Sequence, residues 1–412
     1  MTATAAAVTA MDVSEAQELT QRLVRIDSSD PGNYEGSIEK QIHDWLRRQI
    51  GSCAGSLKGS IVLEESEVLP GRRNIRARIP ARTPEGDRAA GLIYISHMDT
   101  VTLGEGWDPE TPPLGAVIRD GRLYGRGACD MKSGLACALL AFRDVLRQVG
   151  QAGCLPSRAF SFIGSVDEED FMRGSERAIA DGWVKKNDYL LDTEPTDGQI
   201  RIAHKGRTWF ELTMTGVTAH ASTPWEGADA IAGIAAAITD IRQSIMNCPP
   251  HSELGISTVT FGQIEGGYRP YVVPDKAKVW IDMRLVPPTD TAAAIAIVQR
   301  AIGRAEEQVP GVRGSYTITG DRPYIERDPA SPFIRLFKAV SDKTANMQTE
   351  IGVFNGYTDT AVISGKLHDA NICSYGPGSL EMAHKPNEYV PLKDIDRCAA
   401  VLSAFARKWA EN

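Results

Sequence analysis

Two different patterns of predicted strands and helices run along this sequence, and one interrupts the other. In the first half, apolar runs of buried-strand length such as Gly91–Ser96 alternate with helix-like segments such as the Ala- and Leu-rich Ser133–Val149. Such alternation favours a largely parallel sheet covered on both faces. Near residue 206 the pattern changes to period-two strands and separate helices in the order βαββαβ. After Pro329 the first pattern resumes.

We therefore predict an α/β fold with an inserted α+β domain. The larger domain is expected to comprise residues 1–205 and 322–412, with a mostly parallel sheet. The insert is expected to comprise residues 206–321, with a ferredoxin-like arrangement. The predicted elements of the insert are strands at Arg207–Gly216, Ile256–Ile264, Lys278–Val286 and Gly314–Gly320 and helices at Asp229–Ile245 and Asp290–Gln308.

Composition excludes several classes of protein. The formal net charge of −8 argues against general nucleic-acid binding, which requires phosphate neutralisation. No apolar stretch is long enough for a transmembrane helix, and the N-terminal MTATAAAVTAMD lacks the features of a signal peptide. Seven cysteines without a CxxC pair do not suggest a disulfide framework. The expected location is the cytoplasm.

Polar residues follow the predicted strands at several places. His97 and Asp99 come after Gly91–Ser96, at the strand end where α/β folds place ligand sites. The Asp99 carboxylate is within reach of the His97 imidazole and would fix its tautomer, although such a pair is more often purely structural. Asp130 lies in the glycine-rich loop GRGACDMKSG, where it is either a ligand or a helix cap.

Adjacent glutamates follow the predicted strand Ala159–Val166. Glu168 and Glu169 belong to the acidic run Asp167–Asp170, and such runs are commonly solvated faces. At the carboxyl end of a strand, however, one glutamate can bind a metal while the other acts as a general base.

Two further residues complete the pattern. Glu194 follows the predicted strand Asp188–Asp192, and His384 stands in MAHKPNEY. A mixed set of nitrogen and oxygen ligands suits Zn, Mn or Co.

The chain resembles the M20 metallopeptidases, the group of acetylornithine deacetylase, succinyl-diaminopimelate desuccinylase, aminoacylase and glutamate carboxypeptidase. The matching segments follow family order from about residue 20 to the C-terminus. They are SHMDTV, GWDPETPPLGAVIRDGRLYGRGACDMKSGLA, VDEED, TEPTD, GVTAHASTPWEGADAI, VPDKAKVWIDMR, YTDTA and MAHKPNEYV.

The resemblance implies a site for two divalent metal ions, with Zn the first expectation and Mn or Co the alternatives. His97 and Glu194 would bind one ion, Glu169 and His384 would bind the other, and Asp130 would bridge them.

The same resemblance implies roles around the metals. Glu168 would be the general base, and Asp99 would orient His97. Asp192 is the alternative ligand to Glu194.

In the inserted domain, the resemblance implies a lid that also forms a homodimer. His220 in GVTAHAS would reach across the dimer interface to the reaction's oxyanion. Arg284 and Arg322 are candidates for binding a substrate carboxylate, although each also fits a surface ion pair. Gly356 would line the substrate pocket. Tyr271 stands where many relatives have Asn, which puts the usual carboxylate recognition in doubt.

The predicted function is hydrolysis of an amide or peptide C–N bond in a small carboxylate-bearing substrate. The alternative is a hydrolytic deaminase that releases ammonia from an aromatic amino-carboxylate on the same metals. A non-catalytic binding protein is disfavoured because all ligand positions and the base are present. The other histidines, which match no functional position, are expected to be structural or solvated; they are His43, His204, His251 and His368.

Overall fold

The computed structural model describes residues 13–326, 328, 331–369 and 371–411. The N-terminal segment on which the prediction of no signal peptide rests, and Pro329, lie outside the described residues. The helices are α1 Glu15–Val24, α2 Gly36–Cys53, α3 Pro84–Arg88, α4 Lys132–Ala152, α5 Arg173–Ala180, α6 Ala230–Met246, α7 Thr291–Gln308, α8 Pro332–Ala345, α9 Asp359–Leu367 and α10 Leu392–Glu411. The strands are β1 Ser29–Asp30, β2 Val62–Leu69, β3 Arg72–Ile79, β4 Leu92–His97, β5 Thr100–Val101, β6 Val117–Arg119, β7 Arg122–Tyr124, β8 Phe160–Ser165, β9 Tyr189–Asp192, β10 Ile200–His204, β11 Gly206–Thr215, β12 Thr258–Gly266, β13 Lys276–Leu285, β14 Arg313–Arg322, β15 Ile351–Phe354, β16 Ile372–Ser374 and β17 Tyr389–Pro391.

Eight strands form the main sheet in the order β15-β10-β16-β9-β4-β8-β3-β2. The neighbouring strands β16, β9, β4 and β8 run parallel to one another. The sheet is therefore mixed but mostly parallel at its centre, as predicted.

Both faces of this sheet are covered. Along β4, Leu92 and Tyr94 pack into the core that contains α4 and α10, whereas Ile93 and Ile95 pack on the opposite side with residues of α5 and α9. Successive side chains of a strand point to opposite faces of the sheet. Because both faces are buried here, β4 needs apolar residues at successive positions and not only at alternate ones. Helix α4 ends where Gly153 adopts a left-handed backbone with φ of 62°, a conformation that glycine reaches without strain.

The inserted sheet has the order β12-β13-β11-β14 and is antiparallel throughout. With α6 and α7 it has the predicted βαββαβ order. Phe210, Leu212 and Met214 of β11 belong to the core that includes residues of both helices. The alternate residues of β11, including Arg207 and Trp209, lie on the sheet face away from that core. The limits of this domain at residues 206 and 321 stay predictions.

The described residues bear on two features that the sequence argued against, disulfide bonds and membrane-spanning helices. All seven cysteines are free. Among the described helices, none combines the length and apolar character that crossing a bilayer requires.

Candidate metal centre

The candidate residues lie where the central parallel strands end. Because β4, β8 and β9 run in the same direction, their carboxyl ends meet at one edge of the sheet. His97 is the last residue of β4, and Glu168 and Glu194 follow β8 and β9 by a few residues. The topology therefore brings together side chains that are far apart along the chain.

His97 lies at the centre of one group. Its Nε2 atom is 3.2 Å from Oδ1 of Asp130, 3.7 Å from Oε1 of Glu194 and 3.9 Å from Oε2 of Glu168. All four of these residues are buried. This group contains the predicted ligands of one ion and the predicted general base.

His384 lies at the centre of a second group that shares Asp130. Its Nε2 atom is 3.0 Å from Oε2 of Glu169 and 3.4 Å from Oδ2 of Asp130. The two carboxylate oxygens of Asp130 thus face different histidines, which is the arrangement required of a bridging ligand. Unlike His97, the His384 side chain is about half exposed, at 52%.

The electrostatics of the cluster favour bound cations. Burial raises the pKa of Glu168 and of Glu194, and neighbouring carboxylates raise both further. Burial lowers the pKa of His97, but the hydrogen bond with Asp130 and the charges of nearby glutamates outweigh it and leave the pKa raised. Carboxylates packed this closely cannot all ionise unless positive charge compensates them.

The donor set fits two divalent ions. It offers two imidazole nitrogens and several carboxylates, the ligand types that Zn, Mn and Co accept. Glu169 Oε1 is buried and has no hydrogen-bond partner among the described residues, as expected for an oxygen that faces a cation. Four carboxylates, those of Asp130, Glu168, Glu169 and Glu194, would balance the formal charge of two such ions.

Asp99 connects the two groups in a way that the sequence did not predict. The Nδ1 atom of His97 lies 3.0 Å from the backbone carbonyl oxygen of Asp99, whereas the Asp99 carboxylate is 3.7 Å away. With Nδ1–H donating to that carbonyl, Nε2 is the ring nitrogen that faces the cluster and would bind a cation. The carboxylate instead accepts the backbone N–H of Glu169 at 3.0 Å. Burial raises the pKa of Asp99 to about 8.

Asp192, the alternative ligand, makes a different contact. Its carboxylate accepts a hydrogen bond from the Thr360 hydroxyl, and burial raises its pKa to about 6. Glu194 is the residue of this segment that approaches His97.

Glu388 is a supporting residue that sequence reasoning missed. Its carboxylate accepts the backbone N–H groups of Cys129 at 2.9 Å and Asp130 at 3.0 Å, and it binds Nη1 of Arg126 at 2.7 Å. It therefore fixes the loop that presents Asp130 between the two histidines. The available signal was the position of Glu388 in the same short segment as His384.

His220 and Tyr271 lie together, but outside the cluster. Both are exposed, and the N–H of Ala221 donates to the Tyr271 carbonyl at 3.1 Å. The backbone N–H of Ser222 donates to Nδ1 of His220 at 3.2 Å. Nδ1 is therefore an acceptor, and the ring proton is on Nε2, where it can be donated outward. No contact between His220 and the described cluster residues of the same chain is present.

Arg284 and Arg322 already have partners within the chain. Arg284 makes a bidentate pair with Asp282 at 2.9 and 3.0 Å. Arg322 pairs with Glu176 at 2.8 Å and donates to the Phe171 carbonyl at 2.9 Å.

The loop of Gly356 and the remaining histidines also lie outside the cluster. Gly356 follows β15, directly before the buried Tyr357. His204 is fully buried beside the rings of Phe354 and Tyr357. His43 lies 3.5 Å from Glu65, and His251 accepts backbone N–H groups. His368 is exposed and is the C-cap of α9.

Comparison with known proteins agrees with this geometry. Residues 93–408 match the Peptidase family M20/M25/M40. The chain belongs to this family. The M20/M25/M40 chain is thus a metallohydrolase that acts on C–N bonds.

Individual relatives are distant. The M20/M25/M40 chain is 26% identical over 389 residues to an acetylornithine deacetylase of Vibrio cholerae, covering 92% of this chain and 93% of that protein. It is 27% identical over 364 residues to a probable succinyl-diaminopimelate desuccinylase of Staphylococcus aureus, covering 81% and 86%. The crystal structure of aminopeptidase PepT from Bacillus cereus has the same fold, with a TM-score of 0.72 at 22% identity and coverage of 96% and 99%.

Proposed function

We propose that this protein hydrolyses an amide or peptide C–N bond in a small substrate that carries a carboxylate, using two divalent metal ions. The observation that carries this proposal is the position of Asp130 between His97 and His384, with a glutamate beside each histidine. Zn is the expected metal, with Mn and Co as alternatives.

In the proposed site, one ion would be held by His97 and Glu194 and the other by His384 and Glu169, with Asp130 between them. Bound ions of this kind lower the pKa of water and polarise the scissile carbonyl.

Glu168 is the proposed general base and acid. Its carboxylate takes a proton from the attacking water and passes it to the leaving nitrogen, while the water oxygen bonds to the carbonyl carbon and the C–N bond breaks. This role is supported by the buried position of Glu168, 3.9 Å from Nε2 of His97, a proposed metal ligand. Its environment disfavours the negative charge in the absence of cations, which suits a group that must both accept and release a proton.

We also propose that the protein acts as a homodimer in the cytoplasm. Strand β12 is an edge of the inserted sheet, and such edges expose unpaired backbone groups that favour pairing with another chain. Exposed apolar side chains lie on or near this edge, among them Ile231, Ile264 and Tyr268. A second subunit would cover this surface, and its His220 would donate Nε2–H to the oxyanion.

A turnover panel tests the reaction. The protein is reconstituted separately with Zn, Mn and Co and offered N-acetyl and N-succinyl amino acids, dipeptides, glutamate conjugates and aromatic amino-carboxylates, with products identified by mass spectrometry. We expect an acyl or peptide bond to be cleaved. Release of ammonia from the aromatic compounds alone would instead favour the deaminase.

The matched blank is Glu168→Gln, which keeps the shape of the side chain but cannot accept the proton. Loss of general acid–base catalysis should lower kcat by about 10²- to 10⁴-fold. Turnover at the wild-type rate in this variant would overturn the assigned mechanism.

A further inference from the structure

Three arginines lie side by side at one end of the inserted sheet. In the register of the strands, Arg207 of β11 is opposite Arg284 of β13 and opposite Arg322 of β14. Residues directly opposite each other point to the same face of a sheet, so all three side chains share the face away from α6 and α7.

Arg207 differs from its neighbours because it has no anionic partner. Arg284 is paired with Asp282, and Arg322 with Glu176. Arg207 has neither an ion pair nor a side-chain hydrogen bond within the described part of the chain, and its Nε atom is buried. The residue is nevertheless only 7% exposed.

A buried guanidinium without an anionic partner is unfavourable, and the positive charge of a neighbouring arginine increases the cost. Burial lowers the pKa of Arg207, and the positive charge of Arg284 lowers it further. A buried charge is normally paired or hydrogen-bonded. The position therefore has the properties of an anion site whose anion comes from outside the chain.

The local geometry prepares Arg207 to bind a flat anion. Its guanidinium lies 4.1 Å from the centre of the Trp209 ring. A cation–π contact of this kind does not use up hydrogen-bond donors, so the N–H groups of the guanidinium stay available for a ligand. A planar fork of N–H donors matches the two oxygens of a carboxylate.

Two of these arginines, Arg207 and Arg322, are connected through Phe171 to the segment that carries Glu168 and Glu169. The Trp209 ring meets the Phe171 ring edge-on at a centroid distance of 5.9 Å, and Arg322 donates to the Phe171 carbonyl. Phe171 is three residues after Glu168 and two after Glu169. The negative charge of Glu168 also raises the pKa of Arg207, so the guanidinium lies within electrostatic range of the proposed base.

We propose that Arg207 is the specificity-determining residue that binds the substrate carboxylate, in the same subunit as the metal ligands. This inference rests on the proposed function, since it names the group that recognises that substrate. Arg284 and Arg322 keep their own carboxylate partners and add positive potential around Arg207. Neither of them is the primary ligand of the substrate.

Kinetics of Arg207 variants test the assignment. For the best substrate of the turnover panel, kcat/KM is measured for the free acid and for its neutral methyl amide. In Arg207→Gln, the preference for the acid should fall by on the order of 30-fold or more, mainly through KM, because a buried charge pair with the substrate is lost. Arg207→Lys keeps the charge but not the fork, and should recover part of the preference.

The matched control is Arg242→Gln. Arg242 is an exposed arginine of α6 that also lies over an aromatic ring, that of Phe261 at 5.4 Å. This change removes the same charge from the same domain and should leave the acid preference unchanged. An unchanged preference in Arg207→Gln, with turnover intact, would overturn the role of Arg207 and leave the proposed function standing.

A binding measurement covers the case in which no panel member is turned over. Calorimetric titration of the metal-loaded protein with N-acetylglycine and benzoate should give an affinity that falls at least about tenfold in Arg207→Gln and not in Arg242→Gln. That result without turnover would support Arg207 and contradict the proposed reaction. Equal affinity in all three proteins would overturn the carboxylate site.

Thermal unfolding separates this role from a structural one. Removal of an unpaired buried charge should leave the melting temperature of Arg207→Gln unchanged or raised, since no contact with an anionic group of the chain is lost. A large decrease would mean that Arg207 stabilises the fold and would contradict its availability for a ligand.

Discussion

Glu388 illustrates how one residue can control the cluster without facing it. Its carboxylate joins the backbone of Cys129 and Asp130 to the side chain of Arg126, and burial raises its pKa to about 7. The Arg126–Glu388 pair is buried, so each partner depends on the other for charge compensation. Residues that orient metal ligands in this way tune metal affinity.

Glu388→Gln should therefore weaken metal binding by about 10- to 100-fold, because Asp130 loses the contact that fixes its loop. Competition with a chromophoric chelator measures this affinity. Glu381→Gln, an exposed change in the same segment, serves as the control and should bind metal like the wild type. Equal affinities for both variants would contradict the supporting role.

The buried histidine His204 should make the stability of the protein depend on pH. Burial lowers its pKa to about 4, below the ordinary value near 6.5. Between these pH values the unfolded chain binds the proton and the folded protein does not, so stability falls as the pH is lowered from 6.5 to 4. The loss should total roughly 3 kcal/mol.

In His204→Phe this part of the pH dependence should disappear, while an aromatic ring still packs against Phe354 and Tyr357. Urea unfolding of the metal-free protein at pH 7 and pH 4.5 provides the comparison. His368→Asn, which replaces an exposed histidine at a position with left-handed backbone, should behave like the wild type. A wild-type pH dependence in His204→Phe would show that His204 is not the responsible group.

Among the secondary-structure elements, the helices of the insert were the easiest to predict at their beginnings. Asp229 and Asp290 are the N-caps of α6 and α7, and their carboxylates accept the backbone N–H groups of Ala232 at 2.9 Å and Ala293 at 2.8 Å. The helices predicted at Asp229–Ile245 and Asp290–Gln308 begin at these same aspartates, and a cap acts through residues only three positions away.

Asp290→Ala should lower the free energy of unfolding by about 1 kcal/mol, since it leaves a backbone N–H at the start of α7 without its acceptor. The urea midpoint followed by circular dichroism measures the change. Asp290→Asn keeps an acceptor and should stay within a few tenths of a kcal/mol of the wild type. A larger loss for Asn than for Ala would contradict the capping role.

At the scale of the whole molecule, the position of His220 bears on whether a second subunit completes each site. The metal-binding groups converge within one chain, whereas His220 lies on an exposed loop of the insert. The exposed apolar residues near β12 form the surface through which we propose that the insert pairs with a second copy. These two observations lead to one expectation, that His220 acts in trans.

Mixing two inactive variants tests this expectation. Glu168→Gln has no base, and His220→Ala has no oxyanion donor, but a heterodimer of the two has one site with both groups if His220 acts in trans. Random exchange of subunits in a closed dimer should restore about one quarter of wild-type activity. If each subunit uses its own His220, the mixture will stay inactive.

Much of the fold and of the candidate site could be predicted because it depends on short segments. The apolar run of β4, the alternation along β11, the caps of α6 and α7, and the polar residues at or just after the ends of β4, β8 and β9 are all patterns within a few residues. Since parallel strands end at the same edge of a sheet, these patterns also predict that His97, Glu168 and Glu194 meet. The roles of these residues came from resemblance to a family, and they stay proposals.

Other features depend on contacts between distant segments. Glu388 reaches the loop of Asp130 across more than 250 positions, and the row formed by Arg207, Arg284 and Arg322 depends on the order and register of three strands. The sequence drew attention to Arg284 because its segment matches the family and to Arg322 because it lies near the end of the insert, yet both are already paired. A shift of one residue in strand register would turn Arg207 to the other face, so its role follows from pairing that no local pattern encodes.

The sequence by itself thus determined which elements form and which residues end them, because those choices are made by near neighbours. Only the tertiary structure decided which charges are left without a partner, because pairing depends on strand order and burial. Arg207 is the example. Nothing in the sequence distinguishes it from the other arginines, whereas in the structure it is buried beside Trp209 without an anionic partner. That position is why we propose that it binds the substrate carboxylate.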